Sequence, residues 1–361
     1  MGNTIVGVDI GSSTLRAVEL QDASKTRPTI VRFGEIALPP GSVRGGEVLE
    51  PHTVASALKR LWSTTGFRSR NVILGMGNQR VLVRDLSVPR MSAERIRESL
   101  PFLVQDMLPV PVVDAVLDFY PVAETSGGEG TGEQGPMVAG LLVAAVKEAV
   151  MANVKAVQLA GLNPVEVDLL PFALSRALGS GARGRGVVAI VDVGAATTNV
   201  LITIDGVPQF ARIIPAGGDD LTQALAAKLD LSVDDAERYK RTLGLASGKV
   251  PDQHRVAVET IYEVTSELLA SLRNTIGYFV NQRGLPGVGQ IVLSGGGAQL
   301  PGFARALSEL TVTPVVGGDP FEGIAQARTA RPSKSTGTGP DGQPAPQNMA
   351  VALGLALGSA S

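Results

Sequence analysis

Two segments repeat one pattern roughly half the chain apart: Val6-Gly-Val-Asp-Ile-Gly-Ser-Ser-Thr14 and Ile190-Val-Asp-Val-Gly-Ala-Ala-Thr-Thr198. Each runs from β-branched residues through an aspartate and a spacer to a glycine followed by small or hydroxyl side chains. The β-branched run reads as a buried strand, the glycine permits a tight turn, and small residues let backbone N–H groups approach phosphate oxygens. Asp9 and Asp192 fall at the strand ends. A carboxylate there gains nothing from touching phosphate, but it can hold the waters of a magnesium ion that does. Taken singly, D-x-G-x-x-T is also the sequence of an ordinary hairpin turn. A third element weighs against that reading. Ile291-Val-Leu-Ser-Gly-Gly-Gly-Ala298 runs a strand into Gly295, Gly296 and Gly297, where bare backbone suits a flat adenine ring; read blandly, it is a flexible loop.

The elements that must position these turns follow from periodicity. Arg16 to Leu20 and Thr29 to Ala37 continue the first strand as a meander, Pro51 to Trp62 carries apolar residues at helical spacing, and Asn71 to Gly75 returns as a strand. The rhythm breaks from about Arg80 to Asn163, which reads as an inserted subdomain in β-α-β-β-α order. Its first helix starts near Ser92, carries Ile96, Leu100, Leu103 and Met107 on one face, and is ended by Pro109 and Pro111; a strand over Val113 to Tyr120 and a mobile hairpin tip over Glu124 to Pro136 follow. A strand over Val138 to Val146 and a helix over Lys147 to Ala160 close the insertion. In the second half, Gly217-Gly-Asp-Asp220 opens a helix with Asp219 and Asp220 as N-cap carboxylates, and a long amphipathic helix runs from about Gln253 to Gln282, stopped by Gly284. Residues 328–347, rich in Pro, Gly, Ser and Thr, are expected to be disordered before a last short helix, Met349 to Leu357.

With 361 residues and 44% apolar content, the chain is long enough to bury a sizeable core and should hold two lobes. A net charge of −2, one Trp and four Tyr argue against a nucleic-acid partner. No cysteine is present, which removes disulfides and thiolate metal sites and fits a reducing compartment. The first strand begins at Thr4, leaving no room for a signal peptide, and the longest apolar stretches, 140–146 and 350–357, fall short of the roughly 18–20 residues that span a bilayer. The expectation is a cytoplasmic protein that meets the inner face of the membrane only through a partner. His52 and His254 read as isolated surface or helix residues.

A duplicated phosphate turn, a glycine-rich adenosine motif and an insertion between the halves together resemble the actin-like ATPase superfamily. Within it, the chain is similar to the PilM family of type IV pilus assembly proteins, relatives of the division protein FtsA. The segments that carry this are Asp9-Ile-Gly-Ser-Ser12 with Ala17-Val-Glu-Leu20, Asp106-Met-Leu-Pro-Val-Pro111, Val167-Asp-Leu-Leu-Pro-Phe-Ala-Leu174, Gly217-Gly-Asp-Asp-Leu-Thr222, and Leu293-Ser-Gly-Gly-Gly-Ala-Gln-Leu-Pro-Gly302. The resemblance implies an α/β chain with the actin-like ATPase fold: two duplicated RNase H-like lobes and an inserted 1C-type α+β subdomain. Residues 1–79 would begin the first lobe, 80–163 form the insertion, and 164–361 complete the first lobe and build the second. Gly11, Ser12, Ser13 and Thr14 would cradle the phosphates of ATP from one side, and Gly194, Ala195, Ala196, Thr197 and Thr198 from the other. Asp9 and Asp192 would order the waters of Mg2+. Glu237 and Lys240 match a helix that contacts ribose and adenine in relatives such as MreB, with Gly217 and Gly218 flanking the pocket; Glu237 and Lys240 also fit a plain solvated helix face.

One departure bears on mechanism. Hydrolytic relatives carry an acid before proline on the strand that leads to the second phosphate turn, where it orients or deprotonates water. Here that place falls to Leu170, before Pro171. Asp168 lies two residues back, about 6–7 Å along a strand, and is the weak candidate for a catalytic base. ATP binding with slow or absent hydrolysis is therefore the expectation. The implied role is a scaffold that binds the N-terminal cytoplasmic peptide of PilN, a single-span membrane protein, near Arg80 to Val88 and Ser92 to Leu108, with pilus assembly ATPases as further partners. The alternative within the superfamily is an FtsA- or MreB-like filament, against which stands a tail, Ala350 to Ser361, without Lys or Arg. A sugar or acetate kinase on the same fold would need a general base and polar substrate groups in the cleft between the lobes, for which the insertion offers few candidates.

Overall fold

Largely buried, β-branched-rich runs joined by turns build a meander of β1 (Thr4–Ile10), β2 (Thr14–Gln21) and β3 (Thr29–Ala37). In the computed structural model, residues 4–25, 27–126, 135–179, 184–245, 250–328, 330 and 346–358 are described. Short strands β4 (Val43–Arg44) and β5 (Glu47–Val48) lead into α1 (Pro51–Thr65), which starts on proline and stops at Gly66, whose φ of 73° is left-handed. Then β6 (Asn71–Met76) lies parallel to β1.

The next stretch forms β7 (Val81–Pro89), α2 (Ala93–Leu103), β8 (Ala115–Ser126), β9 (Pro136–Val146) and α3 (Lys147–Leu159). The three strands make an antiparallel sheet of their own in the order β7-β9-β8. Helix α2 starts at the expected place, with Ser92 Oγ accepting the Arg95 N–H at 3.4 Å. It is shorter than expected. Pro101 sits inside it and withholds an N–H, Met107 falls in a separate 3-10 turn, and Leu103 is exposed instead of buried. Much of the tip expected over 124–136, and most of 328–347, lies outside the described residues.

Strand β10 (Asn163–Leu169) joins β6 at the edge of the first sheet and passes directly into α4 (Leu170–Leu178). The chain then restarts with β11 (Val187–Val193), β12 (Thr198–Ile204) and β13 (Val207–Ile214), followed by α5 (Gly218–Leu229), α6 (Val233–Leu243) and α7 (Arg255–Arg283). After these come β14 (Gln290–Ser294), α8 (Phe303–Thr311), β15 (Val315–Gly317), β16 (Ala325–Gln326) and α9 (Ala350–Gly358). The first sheet has the order β10-β6-β1-β2-β3-β16 and the second β13-β12-β11-β14-β15.

The repeat seen in the sequence extends to backbone register. Asp9 stands opposite Arg16 across β1 and β2, and Asp192 opposite Asn199 across β11 and β12. Each turn closes by the same bond: Gly11 N–H donates to Thr14 O at 3.1 Å, and Gly194 N–H to Thr197 O at 2.9 Å.

Helix α9 is apolar all round because it is enclosed all round, packing on α4, β1, β2 and β6. Its approach is close enough that a Cβ on Gly354 would stand 1.9 Å from Ala173 O, and one on Gly7 2.0 Å from Ala352 O. Val351 and Leu355 share a core with Ile73, Leu141, Phe172, Ile190 and Leu201, so one apolar cluster joins both sheets and the β7-β9-β8 sheet.

Candidate functional site

The two aspartate turns come to opposite walls of one cleft. A cavity of about 510 Å³ is lined by Asp9, Gly11, Ser12, Ser13 and Thr14 from one side, and by Asp192, Gly194, Ala195, Ala196 and Thr197 from the other. Gly218, Glu237, Lys240, Gly295, Gly296 and Gly297 close the end toward α5 and α6. A second cavity of about 590 Å³ shares Gly218, Glu237, Lys240, Gly296 and Gly297, adds Gly217, and reaches an apolar floor of Val264, Leu268, Leu300 and Phe303. Gly295, at φ 90°, lets the third glycine segment lie on β11: a Cβ there would stand 2.3 Å from Val193 O.

Two expected residues are not brought to the cleft. Thr198 is fully buried and its Oγ1 donates to Ala216 O at 2.7 Å, so it supports the approach to α5 instead of facing phosphate. Asp168, the weak candidate for a base, is ion-paired to Arg176 on α4 and accepts the Leu169 N–H at 2.7 Å. Leu170 does line the cleft. Its side chain fills a notch made by two glycines, since a Cβ on Gly75 or Gly77 would stand 2.3 or 2.4 Å from its methyl groups.

The start of α5 is spent on holding the second turn in place. Gly218 N–H donates to Gly194 O at 2.9 Å and Asp219 N–H to Ala195 O at 2.8 Å. Gly217, not an aspartate, is the N-cap; Asp220 sits three residues in and its Oδ2 accepts the Gly217 N–H at 2.8 Å. Lys240 ties α6 to this corner, with Nζ donating to Gly218 O at 3.0 Å and Thr222 Oγ1 at 2.8 Å and paired with Glu237. Burial works against the charge of Glu237, but hydrogen bonds from Lys240, Arg241 and Thr222 outweigh it and hold its pKa below the ordinary value.

Electrostatics sharpen where Asp9 and Asp192 meet the cleft. Burial pushes the Asp9 carboxyl from 3.8 up to about 6, against the pull of Arg16 and with a further rise from Asp192. Burial also raises Asp192, against hydrogen bonds from Ser294 and Asn199 and the charge of Arg16. The Oδ1 of Asn199 is buried without a hydrogen-bond partner. Arg16 and Asn199 were not legible as site residues, although each lies seven positions after its aspartate and opposite it in register. Gln299 and Asn348 also line the cleft, joined by a bond from Gln299 Nε2 to Asn348 Oδ1 of 3.2 Å.

The family model for type IV pilus assembly protein PilM matches residues 7–360. A solved PilM–PilN type IV pilus biogenesis complex is 28% identical to the chain, with a TM-score of 0.80 over 99% of this chain and 98% of that one. Cell division protein FtsA of Bacillus subtilis (strain 168) is 25% identical over 82% of this chain and 74% of its own length. MreB5 of Spiroplasma citri bound to ADP shares the fold at 11% identity, with a TM-score of 0.51 over 98% of this chain and 94% of that one. The chain belongs to the type IV pilus assembly protein PilM family and has the actin-like ATPase fold.

Proposed function

We propose that the chain binds ATP with magnesium in this cleft and acts as a cytoplasmic scaffold of a type IV pilus inner-membrane assembly complex, docking the N-terminal peptide of a PilN-like single-span protein. The carrying observation is the pair of aspartate-tipped turns on opposite walls of one cavity. Two buried acids are held above their ordinary range despite the charge of Arg16, with an unpartnered Asn199 Oδ1 beside them, so this end of the cleft favours a further cation and its waters. Among the described residues no group of three or more His, Cys, Asp or Glu is placed to hold a metal ion. A cation would then draw its remaining ligands from water and phosphate, a donor set that fits Mg2+. Bound between Asp9 and Asp192, it would neutralise phosphate charge.

The remaining work falls to the chain's own groups. The N–H groups of Gly11 and Gly194 already close their turns, so phosphate contact falls to Ser12, Ser13, Ala195 and Ala196. Glu237 and Lys240 stand on the wall where ribose would lie. Leu170 puts a hydrocarbon where a water-orienting acid would be needed, which supports slow or absent hydrolysis.

The PilM–PilN complex among solved structures supports a PilN-like partner. On the segment expected to dock it, Val88, Ile96 and Leu100 are core, while Phe102 and Leu103 are exposed. Among the described residues no helix is long and apolar enough to cross a membrane, so membrane contact would come through that partner. Calorimetric titration of the Mg·ATP-loaded protein with a synthetic PilN N-terminal peptide tests the reading. Binding that strengthens with nucleotide supports it, and no binding at high micromolar peptide refutes it.

A further inference from the structure

Three strands carry an acid–base–acid row beside the phosphate turn. Asp9 on β1 is opposite Arg16 on β2, which is in turn opposite Glu35 on β3, and directly opposed residues share a sheet face. Glu35 is 3% exposed and is not part of the cleft wall; Arg16 is. Arg16 Nε donates to Glu35 Oε2 at 3.3 Å, while Nη1 stands a looser 3.5 Å from Asp9 Oδ2. The same Nη1 would be 3.7 Å from a Cβ placed on Gly11, so the guanidinium lies against the first glycine turn. With only Asp9 as partner, an arginine would close into a two-pronged pair and take both the cation and the carboxylate out of the cleft.

We propose that Glu35 is a positioning residue: by holding Nε of Arg16 from behind, it keeps the guanidinium turned toward the Gly11 turn, available to a phosphate oxygen, and limits Asp9 to one long contact instead of a two-pronged pair. This rests on the nucleotide reading above. It goes further in assigning a role to a buried acid on β3 that touches neither nucleotide nor metal.

The test compares binding of ATP and of adenosine, with magnesium and with EDTA, in wild type, Glu35→Gln, Arg16→Ala and the double variant, with thermal unfolding to confirm folding. Glu35→Gln is expected to weaken Mg·ATP by about tenfold while leaving adenosine within about twofold. Arg16→Ala should lose at least as much, and the double variant no more than Arg16→Ala alone, because Glu35 acts through Arg16. If Glu35→Gln does not fold, Glu35→Asp keeps the charge but shortens its reach, and carries the same expectation. Wild-type affinity for Mg·ATP in the Glu35 variant, an equal loss for adenosine, or losses that multiply in the double variant would overturn the assignment alone. Wild-type protein that takes up no ATP removes the nucleotide reading, and this one with it.

Discussion

Asp9→Asn should stabilise the protein when metal and nucleotide are withheld, and cripple it as a binder of Mg·ATP. Burial raises the folded-state pKa of Asp9 from 3.8 to about 6, so the folded chain holds this proton more tightly than the unfolded chain does. The stability tied to that proton is complete below about pH 3.8, falls as pH rises through about 6, and is gone near neutrality. At about 1.4 kcal/mol per pH unit, the displacement amounts to about 3 kcal/mol of destabilisation at pH 8 and about half that at pH 5. Asparagine is neutral at every pH, and Arg16 keeps its Glu35 contact. Urea unfolding in EDTA should therefore place Asp9→Asn above wild type at pH 8, with a smaller gap at pH 5. Adding Mg·ATP should reverse the order, since wild type gains stability by binding and the variant gains little. A variant destabilised equally at both pH values, or one stabilised by Mg·ATP as strongly as wild type, would refute the reasoning.

Wild-type single-turnover ATP hydrolysis is expected at or near background, and Leu170→Glu, which places a carboxylate on the cleft wall, should raise it about a hundredfold if orienting water is what the site lacks; no increase in a folded variant that still binds ATP counts against that account. Gly354→Ala drives a methyl into Ala173 O, and should lower stability by about 3 kcal/mol or more in denaturant unfolding, whereas Gly277→Ala, where a Cβ meets nothing within 4 Å, should not. Lys240→Met removes donors to Gly218 O and Thr222 Oγ1; it should cost about 1–3 kcal/mol of stability and weaken ATP, read by unfolding and by titration of the same samples.

Local chemistry made much of this protein legible from its sequence. Both aspartate turns, the three-glycine segment and the stop of α7 at Gly284, whose φ is 60°, depend on residues adjacent in the chain. Patterning of period 2 or 3.6 located most strands and helices, because burial of one face imposes that spacing wherever the partner surface lies. Helix α2 ends before Pro109 and Pro111, the stop its sequence suggests, because Pro101 already withholds an N–H inside it. Sequence could not show which distant groups would meet. Register across β2 and β3 set Glu35 behind Arg16, and register across β11 and β12 set Asn199 against Asp192. Asp168 was withdrawn from the cleft by Arg176 on the following helix, and Leu170 entered it through a notch left by Gly75 and Gly77 on another strand. The tail helix shows the same division. Its lack of charge was plain in the sequence, but only packing against α4, β1, β2 and β6 made that a requirement of the core. Side-chain type and spacing decide what a segment becomes, whereas the groups it faces are fixed by the joint packing of strands and helices far apart in the chain.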